Sequence, residues 1–172
     1  MSERTPRSTT DSERPVRPRG TAKDRALRLL GVRDRSRREL ERRLLRAGFE
    51  QEDIASALDG LTAAGLIDDE RFASAVVEHA RSGRLAGRRS VMSSLLASGV
   101  DRGLAEEAAS TLADGESGRA RALAERHAAR LGAGDPEKAF RRISGLLLRR
   151  GFDPATAYAA ARRALERPEP DD

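Results

Sequence analysis

Apolar residues recur along most of this chain at the three- and four-residue spacing of an amphipathic helix. No segment alternates apolar and polar residues in the way that a half-buried strand does. The clearest apolar faces belong to two successive segments, with Leu40, Leu44 and Ala47 in the first and Ile54, Leu58 and Leu61 in the second. The pattern therefore predicts an all-α fold.

A Leu-Leu pair followed three residues later by a glycine occurs three times, and the glycines stand 51 and 52 residues apart. An arginine precedes each pair at the same distance. The copies are Leu44-Leu45 with Gly48 and Arg38, Leu95-Leu96 with Gly99 and Arg89, and Leu147-Leu148 with Gly151 and Arg141. This register predicts an elongated tandem array of three three-helix, helix-turn-helix-like modules. Repeat arrays generally present an extended surface, so we expect a binding protein.

Capping residues and glycines set the expected helix bounds. Ser36 with Glu39 three residues later has the capping-box arrangement. Glycine readily takes the left-handed conformation that ends a helix, and proline suits the first turn, as expected after Asp135 and Asp153. The expected helices are 22–30, Ser36 to Gly48 and 51–64 in the first module, 69–82, 88–98 and 101–113 in the second, and 117–130, 136–150 and 154–166 in the third.

Composition suggests the outline of the domains. Residues 1–21 are predicted to form a disordered basic tail, because they contain almost no aliphatic residues that could pack. Aromatic residues make up only 3% of the chain and Trp is absent, so the modules have thin cores and need one another's support. The predicted modules span 22–65, 66–115 and 116–167, and residues 168–172 are expected to fray.

The chain has no cysteine, which excludes disulfides and thiolate chemistry, and nothing marks it as secreted. Its N-terminus has no apolar signal region, and no segment approaches the roughly 18 apolar residues of a membrane span. We therefore expect a cytoplasmic monomer without membrane contact.

The formal net charge of +5 and the pI of about 10.7 permit a polyanionic partner. Arginine accounts for 31 of the 33 basic residues, an excess that the codon usage of a GC-rich genome would also produce without any function. Charge also alternates in blocks, with a net +4 over residues 33–46, −7 over 50–70 and +6 over 119–151. Stacked modules would carry one basic and one acidic flank, unless neighbouring helices merely complement each other's charge and stay solvated.

The candidate partner-binding residues are arginines on the second helix of each module. Arg38, Arg42 and Arg46 form a stripe opposite the apolar face of their helix, where they could neutralise phosphates or meet carboxylates. The alternative is a solvated face with local pairing to Glu39 and Glu41. Arginines at similar places in the later repeats are Arg88, Arg89, Arg141, Arg142, Arg149 and Arg150.

The densest local motif is a predicted joint between modules. A glycine is expected to end one helix, an aspartate to cap the next, and Phe72 to begin its buried face. The motif residues are Gly65, Leu66, Ile67, Asp68, Asp69, Arg71, Phe72 and Ala73. Its three consecutive acids lie where a helix N-terminus favours negative charge, so we do not predict a metal site.

The sequence contains no pattern typical of catalysis. His79 and His127 lack metal-ligand spacing, and there is no nucleophile elbow, phosphate loop or dinucleotide fingerprint. We predict neither enzyme activity nor a cofactor. A sequence-specific helix-turn-helix DNA reader is disfavoured, because the helices after the repeat glycines are acidic.

The segment from Ser36 to Ala73 closely resembles the RecX family of bacterial recombination regulators. The resemblance rests on Glu39-Leu40, Leu44-Leu45, Gly48-Phe49, Ile54, Leu58 and the segment from Gly65 to Ala73, and extends through Arg149-Arg150-Gly151-Phe152. The second repeat departs from the family pattern, since the helix from Arg88 to Ser94 is less basic and less apolar than the family usually has.

The resemblance implies an array of three-helix modules that lies in the groove of the filament formed by RecA recombinase on single-stranded DNA. Family members limit filament extension or promote disassembly, and so suppress the recombinase's ATPase, strand-exchange and co-protease activities in DNA repair, homologous recombination and the SOS response. Two alternatives remain open from the residues. One is a helical protein that binds DNA directly, weakly and without sequence specificity, and the other is a scaffold for a different protein.

Overall fold

The computed structural model describes residues 20–83, 85–131 and 135–166, and this part of the chain contains nine α-helices, a short π-helix and no strand. The all-α prediction is confirmed. The helices are α1 (Ala22–Leu30), α2 (Arg37–Arg46), α3 (Gln51–Ala63), α4 (Asp69–Glu78), α5 (Arg88–Ser98), α6 (Arg102–Ser110), α7 (Glu116–Ala128), α8 (Pro136–Arg149) and α9 (Pro154–Arg163), with the π-helix at His79–Gly83.

The helices pack in three consecutive groups of three, and each group surrounds its own core of buried side chains. We call these groups modules 1, 2 and 3. The first leucine of each repeated pair, Leu44, Leu95 or Leu147, is completely buried. The second leucine is exposed in Leu45 and Leu148, because the next position on a helix points about 100° away from the core.

Three predicted helices extend three or more residues beyond their observed ends, and one of them, expected over 154–166, ends at Arg163. The helix expected over 69–82 ends as an α-helix at Glu78 and continues as the π-helix, after which Leu85 takes a positive φ of 47°. The helix expected over 101–113 ends at Ser110. There, the hydroxyls of Ser110 and Thr111 donate to carbonyl oxygens of the preceding turn, a competition that favours helix ends.

The predicted capping box at Ser36 is only half formed. The Ser36 hydroxyl accepts from the backbone N–H of Glu39 as expected, but the Glu39 carboxylate bonds to arginines instead of returning to Ser36. A complete capping box occurs at Thr21 and Asp24, before α1. Residues 1–19 of the predicted tail, and the predicted frayed segment 168–172, lie outside the described residues.

The N-terminal end of one module's second helix meets the C-terminal end of the next module's second helix. The hydroxyl of Ser36, before α2, donates to the carbonyl oxygen of Ser98 at the end of α5 over 2.5 Å. The N–H of Gly87, before α5, donates to the carbonyl oxygen of Arg150 at the end of α8 over 2.9 Å. At each joint, a donor at the start of one helix thus meets an orphan carbonyl oxygen at the end of another.

Candidate protein and nucleic-acid interface

The end-to-end contacts place α2, α5 and α8 in one row, which we call the second-helix column. The first helix of each following module secures it with an acidic side chain. Asp69 of α4 accepts from the N–H of Arg37 at 2.8 Å, and Glu116 of α7 accepts from the N–H of Arg88 at 3.3 Å. Each acid therefore caps a helix of the preceding module, where the N-terminal dipole favours negative charge.

The predicted joint motif forms the connection between modules 1 and 2. Gly65 has the left-handed φ of 70° that ends α3, and Asp68 caps α4 by accepting from the N–H of Arg71. The Arg71 guanidinium donates back to the carbonyl oxygens of Gly65 and Leu66. Ile67 is buried in the core of module 1, whereas Phe72 and Ala73 are buried in that of module 2. The structure thus shows the expected helix end at Gly65, an aspartate cap on α4 and the burial of Phe72.

Arg38 and Arg42 lie over the joint between modules 1 and 2. A guanidinium nitrogen of Arg42 donates to the carbonyl oxygen of Ala97 at 2.8 Å, and Arg38 pairs with Glu41 on its own helix. The stem of Arg38 covers Gly99, where a side-chain carbon would come within 2.4 Å of it. Part of the predicted basic stripe therefore holds two modules together.

Arg89 and Arg150 occupy the joint between modules 2 and 3. The N–H of Arg89 donates to the carbonyl oxygen of Gly151 at 3.1 Å, and its guanidinium contacts Asp153 at 3.3 Å. Arg150 is half-buried and presents its carbonyl oxygen to Gly87. The backbone of both arginines thus helps to build the second-helix column.

The other five predicted arginines expose their side chains along the column. Arg141 contacts Glu137 on its own helix at 3.7 Å, and Nε of Arg46 donates to the carbonyl oxygen of Arg42. Arg142 and Arg149 form no ion pair with any carboxylate in the described ranges. The exposed set is Arg46, Arg88, Arg141, Arg142 and Arg149. These side chains are available to a carboxylate or phosphate partner.

Sequence reasoning offered only local pairing to Glu39 and missed a partly buried ion-pair centre at the start of α2. The carboxylate of Glu39 contacts Arg33, Arg43 and the buried Arg35, whose Nε also donates to the carbonyl oxygen of Leu29. Partial burial raises the pKa of Glu39, but hydrogen bonds from Arg43 and Arg35 and the charge of Arg33 outweigh it and leave the pKa below its ordinary value. The spacing of Arg35, Glu39 and Arg43 was the only sequence signal.

Two surface depressions at the joint between modules 2 and 3 differ in the charge of the residues that line them. One is a groove of about 700 Å³ lined by Arg88, Arg89, Met92, Ser93, Leu96, Glu116 and Asp153. The other, which we call the basic cavity, has about 270 Å³ and is lined by Gly83, Leu123, Arg126, His127, Arg130 and Arg150. Among the described residues, acidic groups accompany the arginines in the groove but do not line the basic cavity.

The described residues contain no group of His, Cys, Asp and Glu side chains that could hold a metal ion. In the same part of the chain, no helix combines the length and the apolar character needed to cross a membrane.

Comparisons of the sequence and of the fold with known proteins both lead to one protein family. A family model described as the first three-helix domain of RecX matches residues 22–61. Regulatory protein RecX of Mycolicibacterium smegmatis is 39% identical over 167 residues, which cover 89% of this chain and 86% of that protein. The chain belongs to the RecX family. Regulatory protein RecX of Amycolatopsis mediterranei is 34% identical over 145 residues, covering 84% and 83% of the two chains.

The RecX fold is also found in the solved structures that this chain resembles. The crystal structure of RecX from Lactobacillus salivarius has a TM-score of 0.69 and 23% identity, and the match covers 83% of this chain and 94% of that one. A second crystal structure of a regulatory protein RecX has a TM-score of 0.71 and 20% identity. The shared fold supports the tandem arrangement of three-helix modules, and the relatives in its family are named regulatory proteins.

Proposed function

We propose that this RecX-family chain is a non-enzymatic regulator that binds the filament of RecA recombinase on single-stranded DNA and limits its extension. Inhibition of the recombinase's ATPase, strand-exchange and co-protease activities follows from that binding. The observation that carries the proposal is membership of the RecX family over almost the whole chain, with relatives that are named regulatory proteins.

The second-helix column supports this function physically. Its exposed arginines are spread over three modules, and they form few ion pairs within the described residues. A filament of protein on DNA offers both carboxylates and phosphates, and guanidinium groups bind either one through paired hydrogen bonds. An extended row of arginines suits such a partner better than it suits a small ligand.

The test is the recombinase's DNA-dependent ATPase, measured with wild-type protein and with charge-reversed variants. Arg46→Glu/Arg142→Glu changes two exposed positions at opposite ends of the column. Arg102→Glu/Arg121→Glu is the matched control, since both arginines are exposed on α6 and α7, outside the column. We expect the column variant to lose inhibition at least about tenfold in potency, since removing charge-assisted contacts costs 1–3 kcal/mol or more.

Circular dichroism and thermal unfolding establish that both variants are folded. Full inhibition by the folded column variant would contradict a role for these arginines. An equal loss of inhibition in both variants would mean that overall charge, and not the column, determines binding.

Direct occupancy of DNA is the second candidate function, and the basic cavity is the observation that favours it. The two functions differ in what the protein binds at physiological salt. Filament regulation predicts much tighter binding to recombinase-coated single strands than to bare ones. Equal affinity for the two would favour direct occupancy.

A further inference from the structure

We propose that the groove of about 700 Å³ between modules 2 and 3, which we call the α5 groove, is a docking site for a segment of a protein partner. The segment presents a large apolar side chain next to a carboxylate. Met92 and Leu96, one helical turn apart on α5, supply the apolar lining, and both are only partly buried. The proposal rests on the proposed function, which makes the recombinase protomers of the filament the source of that segment.

The apolar lining is accessible because the repeats differ at two positions. Module 1 has Glu41 and Arg42 where α5 has Met92 and Ser93. The side chain of Arg42 extends across its joint and donates to the carbonyl oxygen of Ala97 at 2.8 Å. Ser93 is too short for such a contact, and its hydroxyl forms no hydrogen bond within the described residues. The second joint therefore lacks the side chain that crosses the first.

The acidic side chains of the α5 groove already have partners within the chain. Asp153 accepts from the guanidinium of Arg89 at 3.3 Å and from the backbone N–H of Ala155 at 3.0 Å. Glu116 accepts from the backbone N–H of Arg88 at 3.3 Å. The guanidinium of Arg88, by contrast, is exposed and forms no ion pair with a carboxylate of the described ranges. The available charge at the groove is thus a cation, which suits a carboxylate of the partner.

A protein segment fits this lining better than a nucleic-acid strand does. Methionine adapts to differently shaped partners, and an apolar side chain that packs on Met92 and Leu96 removes both surfaces from water. A strand would bring a phosphate with every nucleotide, and the carboxylates of Glu116 and Asp153 would repel those phosphates. A protein segment can instead place one carboxylate at Arg88 and an uncharged side chain in the groove.

The α5 groove also lies within the second-helix column, of which α5 is the middle helix. The exposed arginines of the column attract carboxylates and phosphates alike. An apolar anchor in a groove with a charged rim is the arrangement that usually dominates the affinity of a protein interface. The α5 groove therefore gives the column a means of distinguishing the recombinase protein from bare DNA.

The test is binding of the recombinase filament, assembled on single-stranded oligothymidine, measured by biolayer interferometry. Ser93→Arg introduces into the α5 groove the residue type that module 1 has at the equivalent position. Ser94→Arg is the matched control, since it adds the same charge one position away, outside the lining. Both positions are exposed, and circular dichroism and thermal unfolding check that both variants fold. We expect Ser93→Arg to bind about tenfold more weakly and Ser94→Arg to stay within about twofold of wild type.

The direction of the effect separates apolar docking from simple attraction between charges. Both substitutions add a cation, so a partner held only by charge should bind both variants at least as tightly as it binds wild type. Unchanged or tighter binding by folded Ser93→Arg would overturn the proposal, and so would equal weakening in Ser94→Arg. Arg88→Gln should also weaken binding, by about threefold to fivefold. Unchanged binding by this variant would overturn the carboxylate assigned to the segment.

A second measurement locates the partner in the groove. The chain has no cysteine, so Ser93→Cys and Ser94→Cys each introduce a single thiol with little change in side-chain size. With the filament at about ten times its Kd, about a tenth of the grooves stay free, and alkylation of Ser93→Cys by iodoacetamide should slow about tenfold. Alkylation of Ser94→Cys should slow less than about twofold, as measured by mass spectrometry of this chain.

The alkylation rates also decide between the classes of partner. Equal slowing of both variants, or no slowing of Ser93→Cys, would overturn the site. Bare oligothymidine should leave both rates unchanged. Slowing of Ser93→Cys by bare oligothymidine as strong as that by the filament would assign the groove to a nucleic-acid strand and overturn the choice of a protein segment.

Failure of this proposal is distinguishable from failure of the proposed function. Normal filament binding by Ser93→Arg would exclude the α5 groove and leave the recombinase as the partner. Absence of filament binding by wild type would refute the proposed function, and the docking site inferred from it would be refuted as well.

Discussion

The joint between modules 1 and 2 is made mainly by side chains, whereas the joint between modules 2 and 3 is made mainly by the backbone. At the first joint, the hydroxyl of Ser36 reaches the carbonyl oxygen of Ser98. At the equivalent place in the second joint, Gly87 has no side chain and its own N–H reaches the carbonyl oxygen of Arg150. One repeated contact is therefore built with two different donors.

The backbone contact at Gly87 brings the ends of α5 and α8 closer together than a side-chain contact would allow. A side-chain carbon added to Gly87 would lie 2.3 Å from the carbonyl oxygen of Gly151, and one added to Gly151 would lie 2.2 Å from the backbone nitrogen of Ser90. Neither backbone group can move away without moving its helix. The second joint thus depends on two glycines, while the first depends on groups that can rotate, and substitutions should affect the two joints unequally.

The largest effect is expected for Gly87→Ser, which places the residue of the first joint into the second. Gly87 has an ordinary φ of −84°, so the conflict is purely one of space. We expect a loss of about 3 kcal/mol in the free energy of unfolding, in the upper range for overpacking. Denaturant unfolding measures this loss. Hydrogen exchange should show that the backbone amides of residues 85–91 exchange faster than in wild type.

Gly118→Ser is the matched control for this experiment. A side-chain carbon at Gly118 meets nothing within 4 Å, and serine is a better helix former than glycine, so stability should stay the same or rise by about 0.5 kcal/mol. Unfolding curves of Gly87→Ser that match those of Gly118→Ser would refute the close approach of the two backbones.

The reverse exchange, Ser36→Gly, should have a moderate effect of about 1–2 kcal/mol. It removes the hydrogen bonds to Ser98 and from Glu39 but introduces no overlap. Thermal unfolding of the two variants side by side checks that Ser36→Gly loses less stability than Gly87→Ser. If Ser36→Gly were the more damaging exchange, the proposed difference between the joints would be wrong.

Acid should lower the stability of module 1 because Glu39 loses its charge. In module 2, the equivalent position is the neutral Ser90. The pKa of Glu39 is lowered in the folded protein, so its contribution is present above the ordinary carboxyl pKa and is lost as pH falls through the lowered value. We expect Glu39→Gln to cost about 1 kcal/mol at neutral pH and to differ less from wild type in acid. Unfolding measurements from neutral to acidic pH check this. A stability difference between wild type and Glu39→Gln that does not change with pH would exclude the ion pairs as its cause.

The smallest effect is expected for Arg42→Met, which removes the hydrogen bond to the carbonyl oxygen of Ala97 but keeps an apolar stem over the joint. The position is exposed, so the loss should be about 0.5 kcal/mol. Differential scanning calorimetry measures it. A loss as large as that of Ser36→Gly would show that Arg42 is a principal support of the first joint.

Much of the fold followed from local patterns in the sequence. Ser36, Asp135 and Asp153 cap the helices they were expected to cap, and an aspartate, Asp68, caps α4, because a cap acts on amides only two or three residues away. The burial of the first leucine in each repeated pair followed from helical periodicity, which is equally local. The π-helix after Glu78 escaped this reasoning, since no local pattern distinguishes it from a continued α-helix.

The candidate site could be predicted only in part. Sequence spacing identified the arginines of the second helices, and Arg46, Arg142 and Arg149 do expose their side chains. Spacing alone could not distinguish these exposed arginines from Arg42, whose guanidinium donates to a carbonyl oxygen 55 residues away. The role of an exposed face on one helix depends on which other helix covers it, and that information is not contained in the periodicity of either one.

The sequence by itself determined the helices, their caps, the threefold repeat and the family, because each depends on short-range spacing or on recognisable motifs. Only the tertiary structure decided how the modules meet and which basic groups share a cavity, because these depend on contacts between residues far apart in the chain. Gly87 shows the division clearly. Local capping rules favour serine there, but the carbonyl oxygen of Gly151 occupies the space that its side chain would need.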